Sequence, residues 1–175
     1  MIDLSRAKVN KRIPKNRFNK AALLDVDMVM WLYKISPDTA EFRHGDEIAE
    51  IQIFAVAFKS GTVNKRELSA IQKAIPYSIL FLSHNKSYYT IEGELLESDK
   101  NFLDGDTLRI KQCSAKLADL HESIAEEFVL LERRTAESIL ELVTRFKDLQ
   151  RIEREILQLQ RKVDSEKQPN KRFEY

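Results

Sequence analysis

Three acidic residues and one lysine flank the most regular apolar segment of the chain and could together bind a metal ion. Asp46, Glu47 and Glu50 precede or open this segment, and Lys59 closes it. Carboxylates are the ligands that hard divalent cations prefer, and such ions assist phosphodiester hydrolysis. Lys59 follows Glu50 by nine residues, however, which differs from the Asp…Glu-x-Lys spacing of metal-dependent nucleases. We interpret these residues as solvent-facing charges at strand ends, with a divergent nuclease-like enzyme as the alternative.

The other metal-ligating and nucleophilic side chains are few and scattered. His44, His84 and His121 fall in different predicted elements, and no pair has the spacing of a zinc site. Cys113 is the single cysteine, so no internal disulfide can form, which fits a reducing compartment. We predict no metal site, no cofactor and a cytoplasmic location.

A strongly basic N-terminal segment is the best indication of a binding partner. Residues 4–24 include no acidic residue but seven cations: Arg6, Lys8, Lys11, Arg12, Lys15, Arg17 and Lys20. Unopposed cations neutralise phosphates and release counterions, which gives salt-sensitive binding to nucleic acid. The alternatives are docking on an acidic helix and plain solvation, since blocks of like charge are often only tails.

Several aromatic side chains could stack on nucleic-acid bases. For Trp31 and Tyr77 a place in the core is the simpler interpretation. Tyr88 and Tyr89 are adjacent in a predicted strand, so one of these two side chains should point outward.

The composition is that of a folded protein with a charge-rich part. The chain has 175 residues, of which 43% are hydrophobic and 33% are charged, and its net charge is +1. These values exclude disordered and collagen-like chains and suit one modest domain with an extension. No apolar run approaches the roughly 20 residues that span a bilayer, and the basic N-terminus lacks the apolar part of a secretory signal.

The order of elements predicts an α+β fold: a small mixed sheet with flanking helices, followed by a long C-terminal helix, coiled coil or helical hairpin. Residues 48–59 indicate a central strand covered on both sides, because their far end is apolar on both faces. Asn64 is a cap for a helix over residues 65–74. Residues 78–83 and 88–92 form a predicted hairpin. We divide the chain into a basic extended arm (1–15), an α+β domain (16–112), a helical segment (113–167) and a tail (168–175).

Two segments before the central strand are less regular. Residues 17–25 are predicted as a short helix. Residues 28–39 fit either a helix or a buried strand, because an apolar run of this length does not distinguish the two by periodicity.

The helical segment carries an apolar seam in its second half. Residues at alternating spacings of three and four form this seam: Leu149, Ile152, Ile156, Leu159 and Val163. The pattern is interrupted at residues 133–138, so a kink or a helix–helix turn competes with one continuous helix. We expect the seam to bind a second copy or a different protein, with closure of a hairpin as the competing interpretation.

Four stretches carry a family resemblance: VNKRIPKNRF (9–18), WLYKISPDT (31–39), EIAEIQIFAVAFK (47–59) and AIQKAIPYSILFL (70–82). The chain resembles the bacterial family catalogued as domain of unknown function 4391, over roughly residues 8–97 and in its C-terminal helical pattern. No activity is assigned to this family, so the resemblance implies none for this chain. The resemblance implies a place beside helicase and DNA-methyltransferase genes in restriction or phage-defence loci. Relatives continue with more helix, which implies a truncated C-terminus or a divergent member.

These observations together predict a non-enzymatic accessory or adaptor subunit of a bacterial DNA-processing or phage-defence assembly. We expect the basic arm to contact the backbone of DNA or RNA weakly, and the seam to bind protein in a homo- or hetero-oligomer. No membrane contact is predicted.

Overall fold

The computed structural model describes residues 1–44, 47–91, 93–110 and 116–165. In this part of the chain the strands are β1 (Ile2–Asp3), β2 (Lys8–Arg12), β3 (Val26–Ile35), β4 (Ile51–Phe58), β5 (Ser78–Ser83), β6 (Lys86–Ile91), β7 (Glu94–Ser98), β8 (Leu103–Asp104) and β9 (Thr107–Leu108). The α-helices are α1 (Lys65–Gln72), α2 (Leu117–Phe128) and α3 (Ile139–Ser165). None of the described helices has both the length and the apolar character needed to cross a membrane.

The main sheet has six strands in the order β2-β3-β4-β5-β6-β7, and a small sheet has the order β1-β9-β8. All neighbours in the main sheet are antiparallel except β4 and β5, which α1 connects as parallel strands. Such a parallel pair requires a crossover, and a helix is its usual form. The predicted α+β fold with a mixed sheet and a long C-terminal helix is confirmed.

The predicted central strand is β4, which lies between β3 and β5. Six of its eight residues are buried, so both of its faces are covered. The ambiguous segment before it is a strand, β3, rather than a helix. The helix predicted for residues 17–25 is wrong, because the chain forms two single 3₁₀ turns there, Lys15–Arg17 and Lys20–Ala22.

One face of the main sheet is covered by α1. Asn64 caps this helix by accepting a hydrogen bond from Arg66 N at 3.1 Å, as the sequence predicts. The helix buries Leu68 and Ile71 in a cluster with sheet residues that include Phe81.

The other face of the sheet is covered by α2. Phe128 stacks on Tyr89 at 5.8 Å between ring centroids and on Phe102 at 4.8 Å. Because helices cover both faces, Tyr88 and Tyr89 are both buried, and the prediction that one of them points outward is wrong.

The chain divides into two compact units, Met1–Phe128 and Val129–Tyr175. The sequence prediction ends the α+β domain at residue 112, whereas α2 belongs to the first unit, where its apolar side chains cover the sheet. The helical segment is therefore two helices in different units, with α3 in the second. The predicted tail lies outside the described residues.

The segment predicted as a separate basic arm is part of both sheets. β2 is the edge strand of the main sheet, with Lys11 opposite Trp31 and Arg12 opposite Met30 in β3. β1 pairs with β9. Lysine-rich strands are common at sheet edges, where charge discourages the addition of a further strand. The basic residues are thus held by backbone hydrogen bonds rather than carried on a free arm.

Candidate nucleic-acid interface

An open groove of about 620 Å³ lies beside β2, between the turn that follows this strand and the connection from α1 to β5. The groove belongs entirely to the first unit. Its floor is apolar and aromatic and its rim is cationic. Among the described residues that line it, no side chain is acidic.

The floor is built by strand register. Lys11, Trp31 and Phe54 are directly opposite one another on β2, β3 and β4, so their side chains share one face of the sheet. Trp31 stacks on Phe54 with the ring centroids 6.1 Å apart, and its Nε1 donates a hydrogen bond to Tyr33 O at 3.0 Å. The half-buried indole is therefore fixed in place and faces the groove. Tyr77, which is 39% exposed, lines the opposite side.

Three cations form the rim: Lys11, Arg12 and Arg17. Pro14, with φ of −64°, ends β2, and the following 3₁₀ turn is closed by a hydrogen bond from Arg17 N to Pro14 O at 3.0 Å. The turn places Arg17 along the groove. Arg12 is opposite Met30, so strand alternation directs its side chain to the other face of the sheet, and it borders the groove at the open edge of β2. All three side chains are exposed, and none has a hydrogen bond or ion pair within the described part of the chain.

The other predicted nucleic-acid residues do not join this rim. Lys8 pairs with Asp106 at 3.0 Å, and Lys15 donates to the carbonyl of Val26. Arg6 is exposed beside a separate pocket near Phe42. The side chain of Lys20 lies outside the described part. Within the basic segment, Lys8 and Lys15 therefore bind other parts of the fold, whereas Lys11, Arg12 and Arg17 border the groove.

Asp106 also accepts a hydrogen bond from Tyr33 OH at 2.6 Å, which attaches the β8–β9 hairpin to β3. Burial, followed by this hydrogen bond, raises the pKa of Tyr33 to about 12. The same bond and the Lys8 ammonium lower the pKa of Asp106.

The acidic residues proposed for metal binding do not form a metal site in the described chain. Glu50 is buried, lies 3.0 Å from Lys34 Nζ and accepts a hydrogen bond from Gln52 Nε2. The hydrogen bond that Lys34 donates to Glu50, together with the negative charge of Glu50, raises the pKa of Lys34. The negative charge of Glu50 is thus paired with the ammonium group of Lys34. Glu50 lies beside Gln52, which lines the groove.

Lys59 is at the far end of β4 from Glu50, roughly 30 Å away at ~3.3 Å per residue over nine residues. It donates to Leu24 O at 2.8 Å. Glu47 is exposed in the loop before β4, and Asp46 lies outside the described residues. No group of three or more His, Cys, Asp or Glu side chains suited to a metal ion occurs among the described residues.

The predicted apolar seam lies on α3 and is open to solvent. Leu149, Ile152, Ile156 and Leu159 are 40–47% exposed, and Val163 is half-buried. From residue 148 to residue 162 every side chain of the helix is exposed.

The start of α3 is fixed by two features that our sequence reasoning missed. Ser138 and Glu141 form a capping box: Ser138 N donates to Glu141 Oε2 at 2.8 Å, and Glu141 N donates to Ser138 Oγ at 3.3 Å. Arg145 binds both carboxylate oxygens of Glu137, at 2.7 and 2.8 Å. The Ser-x-x-Glu spacing is the signal that would have identified this helix start.

The fold and groove define a class: an α+β protein with a basic edge strand beside an aromatic groove. The chain belongs to the family described as domain of unknown function (DUF4391), whose model matches residues 5–175. The family resemblance of the sequence is thereby confirmed. Neither a curated protein nor a solved structure matches the chain.

Proposed function

We propose that this protein is a non-enzymatic accessory subunit that binds nucleic acid along the basic edge of its sheet and associates through α3. One observation carries the first part. Lys11, Arg12 and Arg17 are exposed on the rim of one groove and have no partner within the described chain. Cations without an internal partner are available to phosphates, and none of the described residues that line the groove is acidic.

Three phosphate contacts predict weak, salt-sensitive binding. The logarithm of the association constant falls with the logarithm of salt concentration by about 0.7 per contact on a single strand, so three contacts give a slope of about −2. Between about 50 and 200 mM salt the affinity should therefore fall roughly 10- to 20-fold.

The test is anisotropy of a labelled oligonucleotide titrated with the full chain at these two salt concentrations. Arg12→Gln/Arg17→Gln should weaken binding several-fold and reduce the salt slope to about −0.7. Arg43→Gln/Arg66→Gln is the matched control, because it removes the same two charges from exposed positions outside the groove. Equal loss of affinity in both pairs would mean that net charge, rather than this rim, attracts the oligonucleotide.

The second part of the proposal is a protein contact through α3. We propose that a second copy of the chain binds the apolar seam of this helix. A parallel pairing would place Asp148 opposite Glu153 of the second copy at the flanking positions, which is repulsive. An antiparallel pairing that sets Ile156 against Leu159 of the second copy places Glu155 opposite its Lys162, which is attractive. The charges beside the seam therefore favour antiparallel self-association.

The assembly in which such a subunit would act, DNA processing or phage defence, is an inference from the family resemblance alone. The nuclease alternative has less support, because Glu50 is held by Lys34 and Lys59 lies at the other end of β4.

A further inference from the structure

We infer that the groove binds an unpaired nucleobase, and that the ligand of this protein is single-stranded DNA or RNA rather than a duplex. The inference rests on the proposed nucleic-acid function and goes further by naming the form of the ligand. It is carried by the combination of an aromatic floor with a cationic rim in one groove.

A cationic surface alone would serve any polyanion, but this groove also presents aromatic rings. Trp31 and Tyr77 line it together with the rim cations, and Trp31 is held in position by Phe54 and by the hydrogen bond from its indole N–H. Proteins bind single strands by placing phosphates on cations and stacking bases on aromatic side chains. In a duplex the base faces are covered by their neighbours and cannot enter such a groove.

The volume and the placement of charge suit one base with its flanking phosphates. Pockets for small ligands measure ~300–1,000 Å³, and this groove has about 620 Å³. Lys11 and Arg17 line the groove on either side of Pro14, so each is available to a phosphate of a strand that passes over the floor. Glu50, which accepts a hydrogen bond from the lining residue Gln52, is paired with Lys34, and this pairing reduces its repulsion of a phosphate backbone.

An added peptide strand is a poorer occupant of this edge. Asn10 has a φ of 48° and lies where the β2–β3 register shifts, so β2 is bulged. Bulges and lysines are the features by which edge strands resist pairing with another strand.

The chain contains a single tryptophan, Trp31, so its fluorescence reports on the groove directly. Four probes of equal length are titrated into the full chain: oligo-dT, oligo-rU, an abasic DNA strand and a DNA duplex. We expect oligo-dT and oligo-rU to quench Trp31 and to bind at least about fivefold more tightly than the abasic strand, because a stacked base adds ~1–3 kcal/mol. If the abasic strand or the duplex binds as tightly as oligo-dT, the inference is wrong.

Tyr77 provides the matched variants, because it is 39% exposed and Tyr77→Phe keeps its ring as a check on the fold. Tyr77→Ala should weaken oligo-dT binding about 5- to 100-fold and leave the abasic strand unchanged, while Tyr77→Phe should bind like the unaltered chain. Leu24→Ala, at an exposed apolar position outside the groove, is the control. Equal effects of Tyr77→Ala on both strands would overturn the base-stacking role.

The outcomes separate the two proposals. If no nucleic acid binds at low salt, the proposed function fails and the inference fails with it. If all four probes bind alike without quenching Trp31, the function stands and the unpaired base is rejected. An oligo-glutamate peptide is a fifth probe, and quenching by this peptide that exceeds quenching by oligo-dT would identify an acidic protein segment as the occupant instead.

Discussion

Glu67, in the first turn of α1, accepts a hydrogen bond from the backbone N–H of Val26, with 2.8 Å between nitrogen and oxygen. The same carboxylate accepts from Asp25 N at 3.0 Å. Val26 opens β3, the strand that carries Trp31, and its carbonyl accepts a hydrogen bond from Lys15. Val26 thus begins the strand that carries Trp31 and is hydrogen-bonded both to α1 and to the turn that carries part of the rim.

Replacement of Glu67 by Ala should destabilise the first unit. The substitution leaves two backbone N–H groups without their acceptor, and an unsatisfied buried donor costs ~1–3 kcal/mol. Urea unfolding followed by Trp31 fluorescence measures the change in the free energy of unfolding. Arg66→Ala, at the exposed neighbouring position, is the control and should stay within ~0.5 kcal/mol. A loss as small in Glu67→Ala as in the control would show that this carboxylate does not anchor the helix.

The main sheet could be predicted where local pattern and burial agree. The apolar residues of β4 and the Asn64 cap identify their elements without knowledge of their neighbours. The role of residues 8–12 could not be predicted in this way, because a polar, lysine-rich strand contributes its backbone rather than a buried face. Only the pairing with β3 distinguishes such a strand from a free tail.

The sequence offers the residues of the candidate site one by one but does not predict that they lie together. Sequence reasoning names Arg12 and Arg17 for their charge, and it considers Trp31 and Tyr77 as stacking platforms while favouring a place in the core for both. It could not place these side chains in one groove, because their proximity depends on the β2–β3 register and on the connection between α1 and β5. It interprets Glu50 as a solvent-facing charge, or as a metal ligand in the nuclease alternative, and does not foresee Lys34, whose position follows from the antiparallel pairing of β3 with β4.

The pair formed by Glu137 and Arg145 predicts a pH dependence for the start of α3. The hydrogen bonds from Arg145, followed by the backbone N–H of Arg134, lower the pKa of Glu137 from 4.5 to about 2. The folded chain therefore binds this proton more weakly than the unfolded chain does. The stabilising contribution is complete above about pH 4.5 and is lost as the pH falls towards 2.

Carboxyl-carbon NMR titration of Glu137 checks this prediction. Arg145→Met should return the pKa of Glu137 towards 4.5, because the bidentate partner is gone. Arg151→Met is the control, since its guanidinium contacts Asp148 instead, at 3.4 Å. Glu137 titrating identically in both variants would contradict the assignment of this shift to Arg145.

The seam of α3 predicts a specific change in oligomeric state. The unaltered chain should be a dimer by size-exclusion light scattering at micromolar concentration, and Ile156→Asp should be a monomer. Each buried Ile contributes ~1.5–3 kcal/mol, and the symmetry of a dimer applies the loss twice. Leu157→Asp tests the direction of the face, because Leu157 is 53% exposed, close to the 47% of Ile156, but lies off the seam.

Both aspartate variants carry the same added charge on the same helix. A general effect of charge or helix propensity would therefore lower the molar mass measured by light scattering for both variants. Loss of a seam contact would lower it for Ile156→Asp alone. A dimer that survives Ile156→Asp would place the contact elsewhere on the chain. A monomer for the unaltered chain would remove self-association through α3 and leave the nucleic-acid groove to stand by itself, since none of its lining residues belongs to the second unit.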